Sequence, residues 1–352
     1  MGDQAGTRAL RARAQAIGGG VREATAAGVV RRVFAVQAQD ATAAALGVLA
    51  RGRDLDAEAV RAAYEDERAV VRGWFMRGTL HTVPSEDAGW LLRLLGPRVL
   101  AGTGHRYRDL GLDADLRERA DRLLRDAVAS EGPLGRAALT ERLTALGVAP
   151  EGQAPFHLIR HAALNGLLCH GPWRDGEATF VLSQDWLPGP PDAYAPEGDD
   201  ALAELARRYL RAYAPAEADD FAAWSGLPVT WARRAWKALD AAGALAAREA
   251  REPDAASAAP DVRLLPAYDN YLLGYRGRDL AVPAEHGRRV WPGGGVIRPT
   301  VTVDGLVVGT WRRAGRHGVE VEAFGPLSAA VREGIDAEAA AVSRFLRPAG
   351  RA

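Results

Sequence analysis

The chain has 352 residues, enough for two or three domains or for several small motifs around one core. Hydrophobic residues make up 48% and charged residues 26%, the balance of a soluble globular protein, and no apolar run reaches the ~18 residues of a membrane span. Basic and acidic residues number 45 each; the resulting net charge of zero speaks against a nucleic-acid binder, although a balanced total can hide a basic face.

The first helix is expected around Ala5 to Ile17, ahead of Gly18-Gly19-Gly20, and a second through Val29-Val30-Arg31-Arg32-Val33-Phe34. After Gln37-Ala38-Gln39-Asp40, with Asp40 placed to cap it, a helix runs from Thr42 to Ala50. Val70 to Val83 reads as a hairpin. A second group begins with a helix near Leu116 to Val128, turns at Gly132-Pro133-Leu134, and continues with helices over Arg136 to Leu146 and Ala154 to Asn165. Gly166 to Leu182 follows as a hairpin with Asp175-Gly176 at its tip.

A Pro-, Gly- and Asp-rich linker covers 187–200. The third group has a helix with Leu202, Leu205 and Tyr209 on one face, a short helix from Asp219 to Trp224, and a helix opened by Pro228 that exposes Arg233, Arg234 and Lys237. Helix, turn, helix and hairpin is the plan of a winged helix. A polar joint spans 249–260. Short strands follow at Leu264-Leu265, Asn270 to Leu273, Thr300 to Trp311 with Asp304-Gly305 as a turn, and Gly318 to Phe324, suggesting a small barrel. A helix from Leu327 to Leu346 closes the chain. The expected class is α+β, with winged helices over 1–105, 106–186 and 187–255 and a barrel with its helix over 256–352.

The single cysteine, Cys169, excludes an internal disulfide framework and a zinc site of several thiolates, and reads as a small buried apolar residue beside Leu167 and Leu168. His157 and His161 have the i, i+4 spacing of two zinc ligands, but Leu158 stands where a zinc protease carries its Glu and no third ligand is evident. No metal or cofactor is therefore expected. The cations are Arg apart from Lys237; nucleotide bias accounts for that, and the guanidinium fork suits phosphate. Met1 to Gln15 lacks the apolar core of a secretory signal, so a cytoplasmic, monomeric protein is expected.

Several stretches carry a family resemblance. They are Val36-Gln37-Ala38-Gln39, Trp74 to His81, Tyr213-Ala214-Pro215 with Asp220 to Gly226, Leu265 to Asp269 with Gly274-Tyr275-Arg276, and Asp304 to Arg313. In them the chain resembles the AlkZ/YcaQ-like family of winged-helix DNA glycosylases, associated with crosslinked or N7-alkylated DNA, and is closer to the AlkZ branch. The resemblance implies three winged-helix motifs scaffolded by a β-barrel around a concave DNA-binding surface. It also implies catalysis by a Gln-apolar-Gln motif, matched here by Gln37, Ala38 and Gln39; the YcaQ branch has Asp at the second polar place.

Two glutamines do not titrate, so neither is an ordinary general base. N7-alkylation, however, puts positive charge on the purine and makes it a good leaving group without an acid. What remains is to hold a water below C1′ and to stabilise an oxocarbenium-like sugar, and amide oxygens can do both. In an extended segment residues i and i+2 point the same way, so Gln37 and Gln39 can address one water or one sugar; the spacing does not order them, and Gln39 is assigned to the water and Gln37 to orientation and charge stabilisation. Asp40 is the alternative base beside them. The absence of Lys other than Lys237 argues against Schiff-base lyase chemistry.

Arg77, His81, Arg276, Arg312 and Arg313 are candidates for contacts to DNA, with Arg278 beside them; the segment of Arg77 and His81 reads equally as a buried turn with His81 hydrogen-bonded for structure. Asp269 reads as structural, and Trp74, Trp224, Trp231, Trp236 and Trp311 read as core. The expected partner is double-stranded DNA with alkylated or crosslinked purines, in repair or in self-resistance to an alkylating natural product. The competing expectations are a non-enzymatic winged-helix DNA-binding regulator and a protein that shields lesions without excising them.

Overall fold

The computed structural model describes residues 4–188, 195–243, 259–315 and 318–347. The chain forms two compact units, one of residues 1–61 with 203–352 and the other of residues 62–202.

The first unit begins with α1 (Gln4–Ala14), α2 (Ala26–Val33), the short strand β1 (Val36–Gln37) and α3 (Ala41–Leu49). Thr25 caps α2 by accepting from the Gly28 N–H, and Asp40 caps α3 by accepting from the Ala43 N–H. Helix α2 buries Ala26, Val29, Val30 and Val33, the spacing that places one face inward. Helix α4 (Ala57–Glu65), which the sequence reading did not place, contains the boundary between the units.

In the second unit β2 (Val70–Trp74) and β3 (Leu80–Pro84) form the expected antiparallel hairpin. Helices α5 (Ala88–Gly102) and α6 (Gly104–Asp109) follow and were not anticipated. A Cβ on Gly96 would lie 2.6 Å from the Leu164 carbonyl oxygen, so the approach of α5 to that carbonyl requires glycine. Then come α7 (Ala114–Glu131), β4 (Leu134–Gly135), α8 (Arg136–Leu143), α9 (Ala154–Leu164), β5 (Leu168–Arg174), β6 (Glu177–Leu182) and α10 (Ser183–Trp186). The strands make a sheet of order β4-β6-β5. Its turn is Asp175 at φ 50 and Gly176 at φ 80, two left-handed residues as a tight hairpin demands. Leu124, Leu139, Leu143, Leu158, Ala162, Leu168 and Phe180 join helices and hairpin in one core.

The first unit resumes within α11 (Gly198–Tyr213), followed by α12 (Ala218–Ser225) and α13 (Val229–Ala241). Glu217 and Asp220 form a reciprocal capping box on α12, and Gly226 at φ 75 ends it. Tyr209, Tyr213, Phe221 and Trp224 pack as one aromatic group, with Tyr209 and Tyr213 stacked at 4.7 Å. Residues 189–194 and 244–258 lie outside the described residues, and with them the middle of the expected linker, most of the polar joint and the end of the third winged-helix span.

The remaining elements are β7 (Val262–Leu265), α14 (Asn270–Leu273), α15 (Gly287–Val290), β8 (Thr300–Val303), β9 (Leu306–Ala314), β10 (Gly318–Ala323) and α16 (Ala329–Phe345). The structure departs from two expectations. Asn270 to Leu273 is a helical turn rather than a strand, because the Asp269 carboxylate accepts from the Tyr271 N–H and caps it. The expected barrel is an open antiparallel sheet of order β10-β9-β8-β7 among the described residues. Four strands fall short of the five in even a small, partly open barrel. The apolar face of this sheet is instead covered by α16, with Ile335 and Val342 against Val262, Leu264, Val301 and Trp311. No described helix is long and apolar enough to cross a membrane.

Two buried histidines set an acid limit on the second unit. Burial drives both His81 and His170 down to about 3, from an ordinary value of 6.5. Both rings are neutral, and each donates from Nδ1, to the Thr79 and Arg72 carbonyls respectively. The unfolded chain takes up these protons first, so their stabilisation is complete above about pH 6.5 and is lost as pH falls toward 3. Each histidine contributes a slope of up to about 1.4 kcal/mol per pH unit in that window. Urea unfolding at pH 7, 6, 5 and 4 will show this decline, and His170→Gln will flatten it.

Candidate active site

Helix α2 ends at Phe34, whose N–H donates to the Val30 carbonyl while its φ moves to 37. Ala35 follows at φ 67. Non-glycine residues in this region cost of order 1–3 kcal/mol each and persist only where the surroundings hold them. Phe34 is fully buried beside Trp224, and Ala35 is buried too. The chain then extends, and the pleat sorts the next four side chains. Val36 and Ala38 point inward, while Gln37 is half-buried and Gln39 is exposed. The two glutamines meet on the outer side, where Gln37 Nε2 donates to Gln39 Oε1 at 2.7 Å. That bond turns the Gln39 oxygen toward its partner and leaves that oxygen a second lone pair.

Asn270 flanks the motif from within. Its Oδ1 accepts from the Gln37 N–H at 2.9 Å, its Nδ2 donates to the Ala35 carbonyl at 2.8 Å, and Nδ2 also lies 3.2 Å from the Tyr213 hydroxyl. Burial pushes the Tyr213 pKa upward, so the hydroxyl stays protonated and neutral. The preceding residue, Asp269, holds Arg51 through two bonds of 2.7 and 2.8 Å, and both side chains are 2% exposed. Arg51 Nε donates to the Gln15 carbonyl, Nη1 to the Gly47 carbonyl and Nη2 to Gln15 Oε1. With the two bonds to Asp269, all five guanidinium donors are satisfied. Gln15 Nε2 in turn donates to the Ala212 carbonyl. The sequence reading missed Arg51 and Asn270. Asn270 lies one residue past the quoted stretch ending at Asp269, and its assignment to a strand concealed the polar side chain turned inward.

The other candidates are divided between the two units. Asp40 caps α3, the structural one of its two suggested roles. Arg276, Arg312 and Arg313 belong to the first unit, with the glutamines; Arg77 and His81 belong to the second. Arg77 is exposed in the turn of the β2–β3 hairpin at φ 55. His81 does not serve as a phosphate contact, because it is 1% exposed and, being neutral, brings no charge. Arg276 pairs with Asp219 at 3.0 Å and Arg312 with Glu320 at 2.6 Å, both in the open. Such exposed pairs are worth about 0–1 kcal/mol and can be exchanged for a phosphate. Arg313 is exposed on β9, while Arg278 lies 4.9 Å from the centre of the Trp291 ring. Trp74, Trp224 and Trp311 are buried, and Trp231 and Trp236 are half-buried. Cys169 is a buried thiol raised to about 12 by desolvation. His161 bonds Asp121, and His157 packs on Phe156 and Tyr107.

The Gln pair is therefore uncharged, accessible at Gln39 and fixed from behind. It can accept hydrogen bonds and present partial negative charge, but it cannot take up a proton outright. Among the described residues no cluster of three or more His, Cys, Asp or Glu is placed to hold a metal ion.

A profile of the family described as "DNA glycosylase AlkZ-like" matches residues 30–345. The chain is 31% identical over 318 residues to the interstrand DNA cross-link repair glycosylase of Streptomyces sahachiroi, covering 82% of each chain. The solved structure of Streptomyces sahachiroi DNA glycosylase AlkZ aligns with a TM-score of 0.77 at 26% identity, covering 97% of this chain and 96% of that one.

Removal of one partner from the buried Arg51–Asp269 pair leaves an unpaired charge in the core, at a cost of about 3–5 kcal/mol. Arg51→Ala will lower the urea midpoint accordingly. Arg312→Ala, which breaks an exposed pair, will change stability by less than about 1 kcal/mol.

Proposed function

The chain belongs to the AlkZ-like DNA glycosylase family, and on that premise we propose that it is a monofunctional enzyme hydrolysing the N-glycosidic bond of N7-alkylated purines in double-stranded DNA, interstrand crosslinks included. The observation that carries the reading is the 2.7 Å contact from Gln37 Nε2 to Gln39 Oε1 on an accessible strand. The second lone pair of Gln39 Oε1 accepts a hydrogen bond from the attacking water. The Gln37 amide fixes that oxygen and adds negative potential beside the sugar.

The reaction balances without a protein acid or base. The C1′–N9 bond breaks with its electrons passing to the cationic purine, which departs neutral. A new C1′–O bond forms from water, and the released proton goes to solvent. The scheme needs a leaving group that already carries charge, which is why a neutral site suits an N7-alkylated base and no ordinary one.

Three further observations support the reading. The order α7, β4, α8, α9, β5, β6 is that of a winged helix. The exposure of Gln39 suits a base still tethered to the opposite strand, which cannot enter a closed pocket. The crosslink-repair name of the Streptomyces sahachiroi relative agrees with such a substrate.

The test is single-turnover excision from duplexes carrying N7-methylguanine or a defined interstrand crosslink, followed by alkaline cleavage at abasic sites. Gln39→Ala is expected to slow release roughly 10²-fold or more, the scale for loss of a positioned electrostatic group. An unaltered rate would sink the mechanism. Binding to both duplexes with no cleavage by the unmutated protein would favour a lesion-shielding or regulatory protein instead. Borohydride is expected to trap no protein–DNA adduct through Lys237, the sole lysine.

A further inference from the structure

We propose that Asn270 is a positioning residue for the Gln37–Gln39 pair, clamping the backbone of residues 35–37 with its side-chain amide. A backbone strand would offer one acceptor and one donor to residues 35–37. Asn270 offers the same two groups from one amide, Oδ1 to the Gln37 N–H and Nδ2 to the Ala35 carbonyl. It therefore grips the chain on both sides of Val36, immediately after two non-glycine residues held at positive φ. Without that grip, the strained turn has a route to relax, and relaxation would rotate the segment that carries both glutamines.

The orientation of the Asn270 amide is itself determined. Nδ2 lies within reach of the Ala35 carbonyl and the protonated Tyr213 hydroxyl, so the nitrogen stays on that side and the oxygen faces Gln37. The order passes outward from there. Asn270 sets the Gln37 backbone, Gln37 Nε2 sets Gln39 Oε1, and that oxygen is the acceptor the water requires. Asn270 is 5% exposed, so it acts through the glutamines and touches no substrate.

The inference rests on the proposed glycosylase reaction for its kinetic consequence but not for its structural one, and two measurements keep them apart. Hydrogen–deuterium exchange of peptides covering residues 35–40 reads the grip directly. In Asn270→Ala the Gln37 amide should exchange at least tenfold faster, with peptides from α16 unchanged. Single-turnover excision of N7-methylguanine at saturating enzyme reads the consequence. The rate constant should fall about 10- to 100-fold, the scale of a misplaced reacting group, while the Kd for the same duplex stays within twofold. Combined with Gln37→Ala, the loss should be less than multiplicative, because the effect passes through that side chain. Asn270→Asp, which keeps an acceptor for the Gln37 N–H, should recover part of the rate. Val342→Ala, a cavity in the core between the sheet and α16, serves as the control for destabilisation and should leave the rate constant unchanged.

Unchanged exchange at Gln37 in Asn270→Ala would overturn the proposal, as would an excision rate equal to that of the unmutated protein. A fully multiplicative loss with Gln37→Ala, or an Asn270→Asp rate no higher than that of Asn270→Ala, would also overturn it. If the unmutated protein excises nothing, the reaction assigned above fails, while the exchange result still decides whether Asn270 holds the strand.

Discussion

A buried ion pair with no donor left over underlies the arrangement of the first unit. Arg51 and Asp269 are both taken out of water, which costs several kcal/mol per ion unless every polar atom is matched. Here the guanidinium is matched in full by the Asp269 carboxylate, Gln15 and the Gly47 carbonyl. The same carboxylate caps α14, so the residue after it, Asn270, emerges in a fixed direction. Groups contributed by α3, α11, α14 and the segment after α1 are thus tied to one charged centre, and the Gln motif is placed by its position relative to that centre.

The cost of this design is local strain, carried by Phe34 and Ala35 at positive φ. The return is an extended strand directly after a helix, with no glycine to loosen it. A glycine at either position would relieve the strain and also widen the range of directions the motif could take. The apolar middle residue of the motif belongs to the same logic. Ala38 is fully buried, so the glutamines on either side of it are turned outward together.

Much of this was legible in the residues. Helical periodicity located α2, α3, α7, α9 and α13 to within a few positions, and Asp-Gly pairs marked both tight turns, at Asp175-Gly176 and Asp304-Gly305. The i, i+2 geometry of Gln37 and Gln39 followed from strand pleating alone. What escaped were features that strand and helix patterning does not carry. Asn270 to Leu273 has the composition of a short strand, and only the Asp269 cap makes it helical. For His81 the sequence leaves a DNA contact and a buried, hydrogen-bonded turn histidine equally open, and the folded hairpin buries it. The barrel failed for a related reason, since strand patterning gives the faces of a sheet but not whether its edges meet. The family resemblance supplied the motif, and the packing behind it had to be seen.

The proposal of a catalytic pair made of two amides has a consequence for safety on intact DNA. Such a pair supplies no proton to an ordinary purine, whose departure would leave an uncompensated anion. On the proposed reaction, discrimination therefore need not come from a shaped cavity that rejects normal bases. The damage itself provides the activation, and the weakness of the protein groups keeps the rest of the genome out of reach. A site with Gln39 exposed can then, on that reaction, be tolerant of what the adduct looks like while remaining strict about how readily it leaves.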